Sequence, residues 1–198
     1  MNQEQLQKYV VSHQINPLSA PYINYMTVAS SGMRSKLEDT LAKWKDNEQE
    51  IEIAEIIRNL STPEEFFKWM RKPLQGNNKF LLRQVALENE ELIMDMMKKR
   101  ILTNRTDEFI ECATDFFVKC KEDPTEWIME NYRNIRDPYA QSEMCLALGF
   151  HGDLSCEEFL MEQVETFRRD HPGENYEQGP LIAIYMLNGL EEELQPNV

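Results

Sequence analysis

Apolar residues recur along this chain at helical spacing. Phe109, Ile110, Ala113, Phe116, Phe117 and Cys120 fall at i, i+1, i+4, i+7, i+8 and i+11, and Leu160, Val164 and Phe167 at i, i+4 and i+7. Ala54, Ile57 and Leu60 form a shorter stripe. Recurrence of this kind lays one apolar face along a helix of 3.6 residues per turn. No period-2 run of any length is bounded by turn residues, so the pattern predicts no strand. Helix-start signals punctuate the stripes. Thr62-Pro63-Glu64-Glu65 places a capping hydroxyl before a proline and acids in the first turn. Asp123-Pro124-Thr125-Glu126 and Asp137-Pro138 repeat the device, and Ser155-Cys156-Glu157-Glu158 has the form of a capping box. The expected helices cover 3–14, 20–30, 34–46, 48–60, 63–72, 78–88, 90–102, 107–121, 125–135, 138–149, 155–169 and 176–189. The predicted class is all-α.

From residue 78 onward the helices read as pairs. Phe80, Phe109, Tyr139 and Tyr176 each sit near the start of a first helix, at successive offsets of 29, 30 and 37. Leu92-Ile93, Trp127-Ile128 and Phe159-Leu160 take matching places in the second helices. Helix pairs recurring every 30 to 40 residues are the mark of an α-solenoid; an irregular bundle would satisfy the same spacings. The best single unit is Asp137 to Phe167. Its Ala147-Leu148-Gly149, followed by Gly152-Asp153, resembles the HEAT-like repeat found in many bacterial proteins, and Gly179-Pro180-Leu181-Ile182-Ala183 is similar to the start of a further first helix. The resemblance covers about 50 residues and implies a right-handed stack of antiparallel helix pairs over 78–198. It does not extend to 1–77, an N-terminal helical region that is read as a cap continuous with the repeats in one domain, a separate helical subdomain being the alternative. Small residues would let helices approach closely, and Gly149 and Gly152 are expected to supply turn conformations. The motif specifies a scaffold and no chemistry.

Composition adds a partner class to this picture. The 198 residues carry 21 Lys+Arg against 35 Asp+Glu, a net charge of −14. Residues 1–100 hold 14 of each sign, so the whole excess lies in 101–198, with 7 against 21. Glu108, Glu111 and Asp115 fall at i, i+3 and i+7, and Glu158, Glu162 and Glu165 at i, i+4 and i+7. Like charges at these spacings cost an isolated helix a few tenths of a kcal/mol per pair, a cost that a basic partner would turn into attraction. These six acids are the candidate partner-binding residues, and a solvated face kept for solubility is the plainer reading of them. Two basic clusters oppose the trend, Lys68 with Arg71-Lys72 and Lys98-Lys99-Arg100. Three charges each at helix ends suit the helix dipole, and no nucleic-acid partner is expected from them.

Catalytic and metal patterns are missing from the sequence. His13, His151 and His171 lie in no His-Glu, ExxH or HExxH pattern, which separates the chain from di-iron bundles, zincins and the HEAT-like deoxyhypusine hydroxylases. The HEAT-like DNA glycosylases use a basic groove, unlike the acidic half here. Cys145, His151 and Cys156 lack the spacing of a structural zinc site, and no P-loop is present. No catalytic residue, metal ligand or cofactor is assigned. The longest apolar run in the later chain, Leu181 to Leu187, is far short of the ~20 residues of a membrane span. Cys112, Cys120, Cys145 and Cys156 read as buried thiols, and the absence of a secretory pattern points to the cytoplasm. The function expected is a non-catalytic adaptor or immunity-like inhibitor that binds a basic protein through its acidic half. An enzyme or ligand-binding domain with an unrecognised carboxylate site is the alternative, and a DNA mimic a third.

Overall fold

The computed structural model describes residues 48–74 and 76–189. The helices expected over 3–14, 20–30 and 34–46 lie outside these residues. Within them there are nine α-helices: α1 (Glu48–Arg58), α2 (Pro63–Met70), α3 (Gly76–Glu88), α4 (Glu90–Ile101), α5 (Asp107–Lys119), α6 (Thr125–Asn131), α7 (Pro138–His151), α8 (Glu157–Asp170) and α9 (Gln178–Leu187). No strand occurs among the described residues, where the sole β-type pairing is an isolated Pro172–Glu174 bridge. The protein is all-α. Each of the nine expected helices between 48 and 189 forms. The one expected over 125–135 ends early, because Tyr132–Asn134 tighten into a 3-10 turn.

The described residues fall into two compact units that meet in sequence between Cys120 and Lys121. In the first unit α1 packs along α3, α3 along α5, and α2 along α4 and α5. Helix α5 sits innermost: from Phe109 to Val118 every residue but Glu111 is buried. Phe66 and Met70 from α2, Leu82 from α3, and Ile93, Met97 and Ile101 from α4 complete the interior. Burying each of these side chains contributes about 1.5–3 kcal/mol of transfer free energy. Met94 and Met96 are buried as well, so this run of methionines is core.

In the second unit α9 has the central place, buried all round from Gly179 to Met186 and packed on both α7 and α8. That explains the apolar run Leu181 to Leu187: a helix covered on every side needs no polar face. Helices α7 and α9 approach through their small residues. A Cβ added at Gly149 would lie 2.7 Å from Ala183 Cα, and one at Gly179 would lie 2.1 Å from the Ser142 carbonyl oxygen. The Ser142 hydroxyl donates to the Tyr176 carbonyl at 2.6 Å. Ser142 meets Gly179 and Gly149 meets Ala183, so the two helices run in the same direction. The conformational role expected of Gly149 and Gly152 is therefore not the one they have. Gly149 lies inside α7, and Gly152 has φ −75°, which any residue can adopt. Both glycines are required for space, since a Cβ at Gly152 would stand 2.6 Å from the Leu148 oxygen.

Candidate functional site

The helix starts that hold the charged faces in place are built largely as their sequences imply. Thr62 accepts from Glu65 N while the Glu65 carboxylate accepts from Thr62 N at 3.1 Å, a reciprocal capping box. Asp137 caps α7 by accepting from the amides of Tyr139 and Ala140. Asp123, one position before the N-cap Pro124 of α6, accepts from Thr125 N at 2.8 Å. At α8 the capping box expected of Ser155 gives way to Asp153, which accepts from Ser155 N at 2.8 Å and caps the 3-10 turn Leu154–Cys156. Hydrogen bonds from these amides and hydroxyls hold Glu65, Asp123 and Asp153 below the usual carboxylate range.

The first acid row divides once α3 covers it. Asp115 is only 4% exposed and pairs with Arg83 of α3 and, at 3.2 Å, with Lys119 of its own helix. Glu111 is half-buried between Lys79 and Arg83. Glu108 is half-buried at the start of α5. The pairs 79–111 and 83–115 place α3 and α5 in the same direction, with a four-residue step on each helix in register. Burial lowers the Lys119 ammonium below the ordinary lysine value, against the attraction of Asp115. Burial also acts to lower the Arg83 guanidinium, but Asp115 and Cys112 outweigh it and hold the pKa up. The Cys112 thiol is pushed up by burial, with Arg83 opposing. Sequence reading missed this lattice. Its available signal was Lys79 and Arg83 at i, i+4, matching Glu111 and Asp115 at i, i+4.

The second acid row is arranged differently. Glu158, Glu162 and Glu165 are all exposed on α8, opposite the buried Leu160, Val164 and Phe167. Within the described residues their ion pairing is limited to Glu165 with Arg168 at 3.9 Å, a contact that exposure makes weak. This row can present three carboxylates to a partner.

The two basic clusters meet in the first unit. Arg71, just past α2, and Arg100, at the end of α4, both lie over the Phe67 ring, with guanidinium carbons 5.5 and 4.3 Å from its centroid. Phe67 is held edge-on by Phe109 at 5.2 Å. Lys72 Nζ stands 3.2 Å above the Trp69 ring. Trp69 also lines an open groove of about 450 Å³ between α1 and α2, with Ile56, Glu52, Glu55, Glu65 and Lys68 in its walls. Glu65 is held ionised there by its capping bonds, opposite in sense to a general acid.

All four cysteines are buried and unbridged. Cys145 lies 3.4 Å from the Tyr132 hydroxyl, and burial pushes its thiol up to about 12. The described residues include no group of three or more His, Cys, Asp or Glu side chains placed to hold a metal ion, and no helix long and apolar enough to cross a membrane. No family model, curated protein or solved structure matches the chain.

Proposed function

We propose that this chain is a protein-interaction module, an adaptor or immunity-like inhibitor, that captures a basic partner protein on the acidic face of α8. The observation that carries the reading is the exposure of Glu158, Glu162 and Glu165 along one helix face, with a single long contact to Arg168 as their ion pairing among described residues. Close like charges raise the local potential, which steers a basic surface toward them and speeds encounter. We take the scaffold to be a HEAT-like stack of helix pairs. What supports this is packing of four helices on the next but one: α1 with α3, α2 with α4, α3 with α5, and α7 with α9. Tyr139 and Tyr176, which hold equivalent places 37 residues apart, also lie with ring centroids 6.5 Å apart. Four buried, unbridged thiols suit a reducing cytoplasm.

The test is capture by the tagged chain from its native host at ~0.1 M and ~0.5 M salt, since exposed pairs are screened within about 10 Å at the lower value and more strongly at the higher. A basic protein held at low salt and lost at high salt is expected. Glu158→Lys with Glu162→Lys should remove it without unfolding the chain. Equal capture by that folded double variant would sink the proposal.

A further inference from the structure

Six cations of the first unit gather at two helix ends: Lys68, Arg71 and Lys72 at the close of α2, and Lys98, Lys99 and Arg100 at the close of α4. Phe67 joins the ends, because Arg71 and Arg100 both lie over its ring. A cation–π contact orients a guanidinium without neutralising it. Neither guanidinium donates to an acceptor among the described residues, and Lys68, Lys72 and Lys99 likewise form no ion pair with a described carboxylate. In a chain of net charge −14, five neighbouring cations with no ion pair to a described carboxylate stand apart.

Its dimensions and chemistry select the ligand. Lys68, Arg71 and Lys72 lie within five residues, from the last turn of α2 to two residues past its end at Met70. One or two turns back, the same helices carry Glu64 and Glu65, and Glu90 and Glu91, in their first turns. The positive zone is therefore compact, and an extended polyanion would run onto acids. The Phe67 and Trp69 rings are already covered by cations, which leaves bases no stacking platform. Guanidinium forks held in place match phosphate oxygens two at a time. We propose that this patch is a site for a compact oligophosphate, a chain of two or more phosphates that is free or borne by a nucleotide. This inference does not rest on the acidic-face reading and concerns the other unit.

Titrating the full chain with inorganic tripolyphosphate by calorimetry, in magnesium-free buffer at low salt, tests it. Saturable binding is expected. Arg71→Gln with Arg100→Gln should weaken it about tenfold or more, as loss of charge-assisted bonds requires. Lys68→Gln with Lys72→Gln should weaken it less, and Arg133→Gln in the second unit not at all. Thermal melts confirm folding, and Arg71→Lys with Arg100→Lys, which keeps the charge, should still bind several-fold more weakly. ATP binding much more tightly than tripolyphosphate would assign the nucleotide form, and equal affinity the free chain. Absence of binding, or affinity unaltered in the double arginine variants, would overturn the proposal. Tighter binding of a thymidine oligonucleotide or of poly-glutamate, with the same variant dependence, would overturn it in favour of nucleic acid or an acidic peptide.

Discussion

Residues 48–120 and 121–189 carry the same number of acids, 14 each, yet 11 Lys+Arg against 5. The acidity of the second unit is thus a deficit of cations, not a surplus of carboxylates. In the first unit the cations cover α3 and α5 with ion pairs and collect around Phe67. In the second they are too few to cover α8. The interiors differ as well. The first is filled by large Phe, Met, Ile and Leu side chains, whereas α7 and α9 of the second pack backbone to backbone at Gly149 and Gly179. At Gly149 and Gly179 the close approach leaves no room even for a Cβ. A substitution of one kind should therefore have different consequences in the two units.

The largest effect is expected at Gly179. Its missing Cβ would lie 2.1 Å from a backbone oxygen, which cannot swing aside as a flexible side-chain tip can. Gly179→Ala should cost about 3 kcal/mol or more in urea unfolding followed by circular dichroism, at the upper end of overpacking. Gly173→Ala meets nothing within 4 Å but has φ +103°, so it should cost only about 1–2 kcal/mol. A Gly179→Ala variant within about 0.5 kcal/mol of the parent, the ordinary range of a surface change, would show that α7 and α9 can separate cheaply.

Next comes the ion lattice. Asp115→Asn leaves Arg83 and Lys119, both mostly covered, without their shared anion. A loss of about 2–4 kcal/mol is expected in the same assay, somewhat below the figure for fully buried pairs. Replacing all three together (Arg83→Met, Asp115→Leu, Lys119→Met) should recover most of it, because no buried charge then lacks a partner. Failure to recover would mean that the lattice fixes the α3–α5 register as well as neutralising itself.

A smaller effect belongs to the α2 cap. Thr62→Ala should cost about 1 kcal/mol. The pH dependence has a definite sign. Glu65 titrates below its ordinary value of 4.5 in the folded chain, so its contribution is full above that value and is lost as pH falls through the lower, folded one. Between pH 5 and pH 3 the parent should lose more stability than Glu65→Gln. Parallel curves would show that the cap does not depend on the carboxylate charge.

These cases mark what the sequence could tell. Helices were legible because periodicity and capping are local, and Thr62, Asp137 and the Phe109 stripe act within one or two turns. Where the acids would lie was not. Asp115 and Glu162 each sit four residues from another acid on an amphipathic helix, and what separates them is whether a second helix with cations in register lies across the face. That depends on contacts some 30 residues apart. The same holds for Gly149, whose small size was visible but whose neighbour Ala183 was not. The two basic clusters looked like separate helix ends, since only the packing of α2 on α4 brings Arg71 and Arg100 to one ring.

The smallest stability change is therefore the sharpest comparison. Glu158→Lys with Glu162→Lys reverses two charges on α8, as drastic on paper as any change at Asp115. The two new cations still repel each other at i, i+4, but position 162 turns from repelling Glu165 to attracting it, which returns a few tenths of a kcal/mol, and losing an acid from the first turn forfeits about as much through the helix dipole. Net stability should stay within about 0.5 kcal/mol of the parent by urea unfolding. A loss approaching that of Asp115→Asn would mean that this row, too, has cationic neighbours to hold. A neutral result would leave the α8 carboxylates without a structural duty, which is the condition for a face kept for a partner.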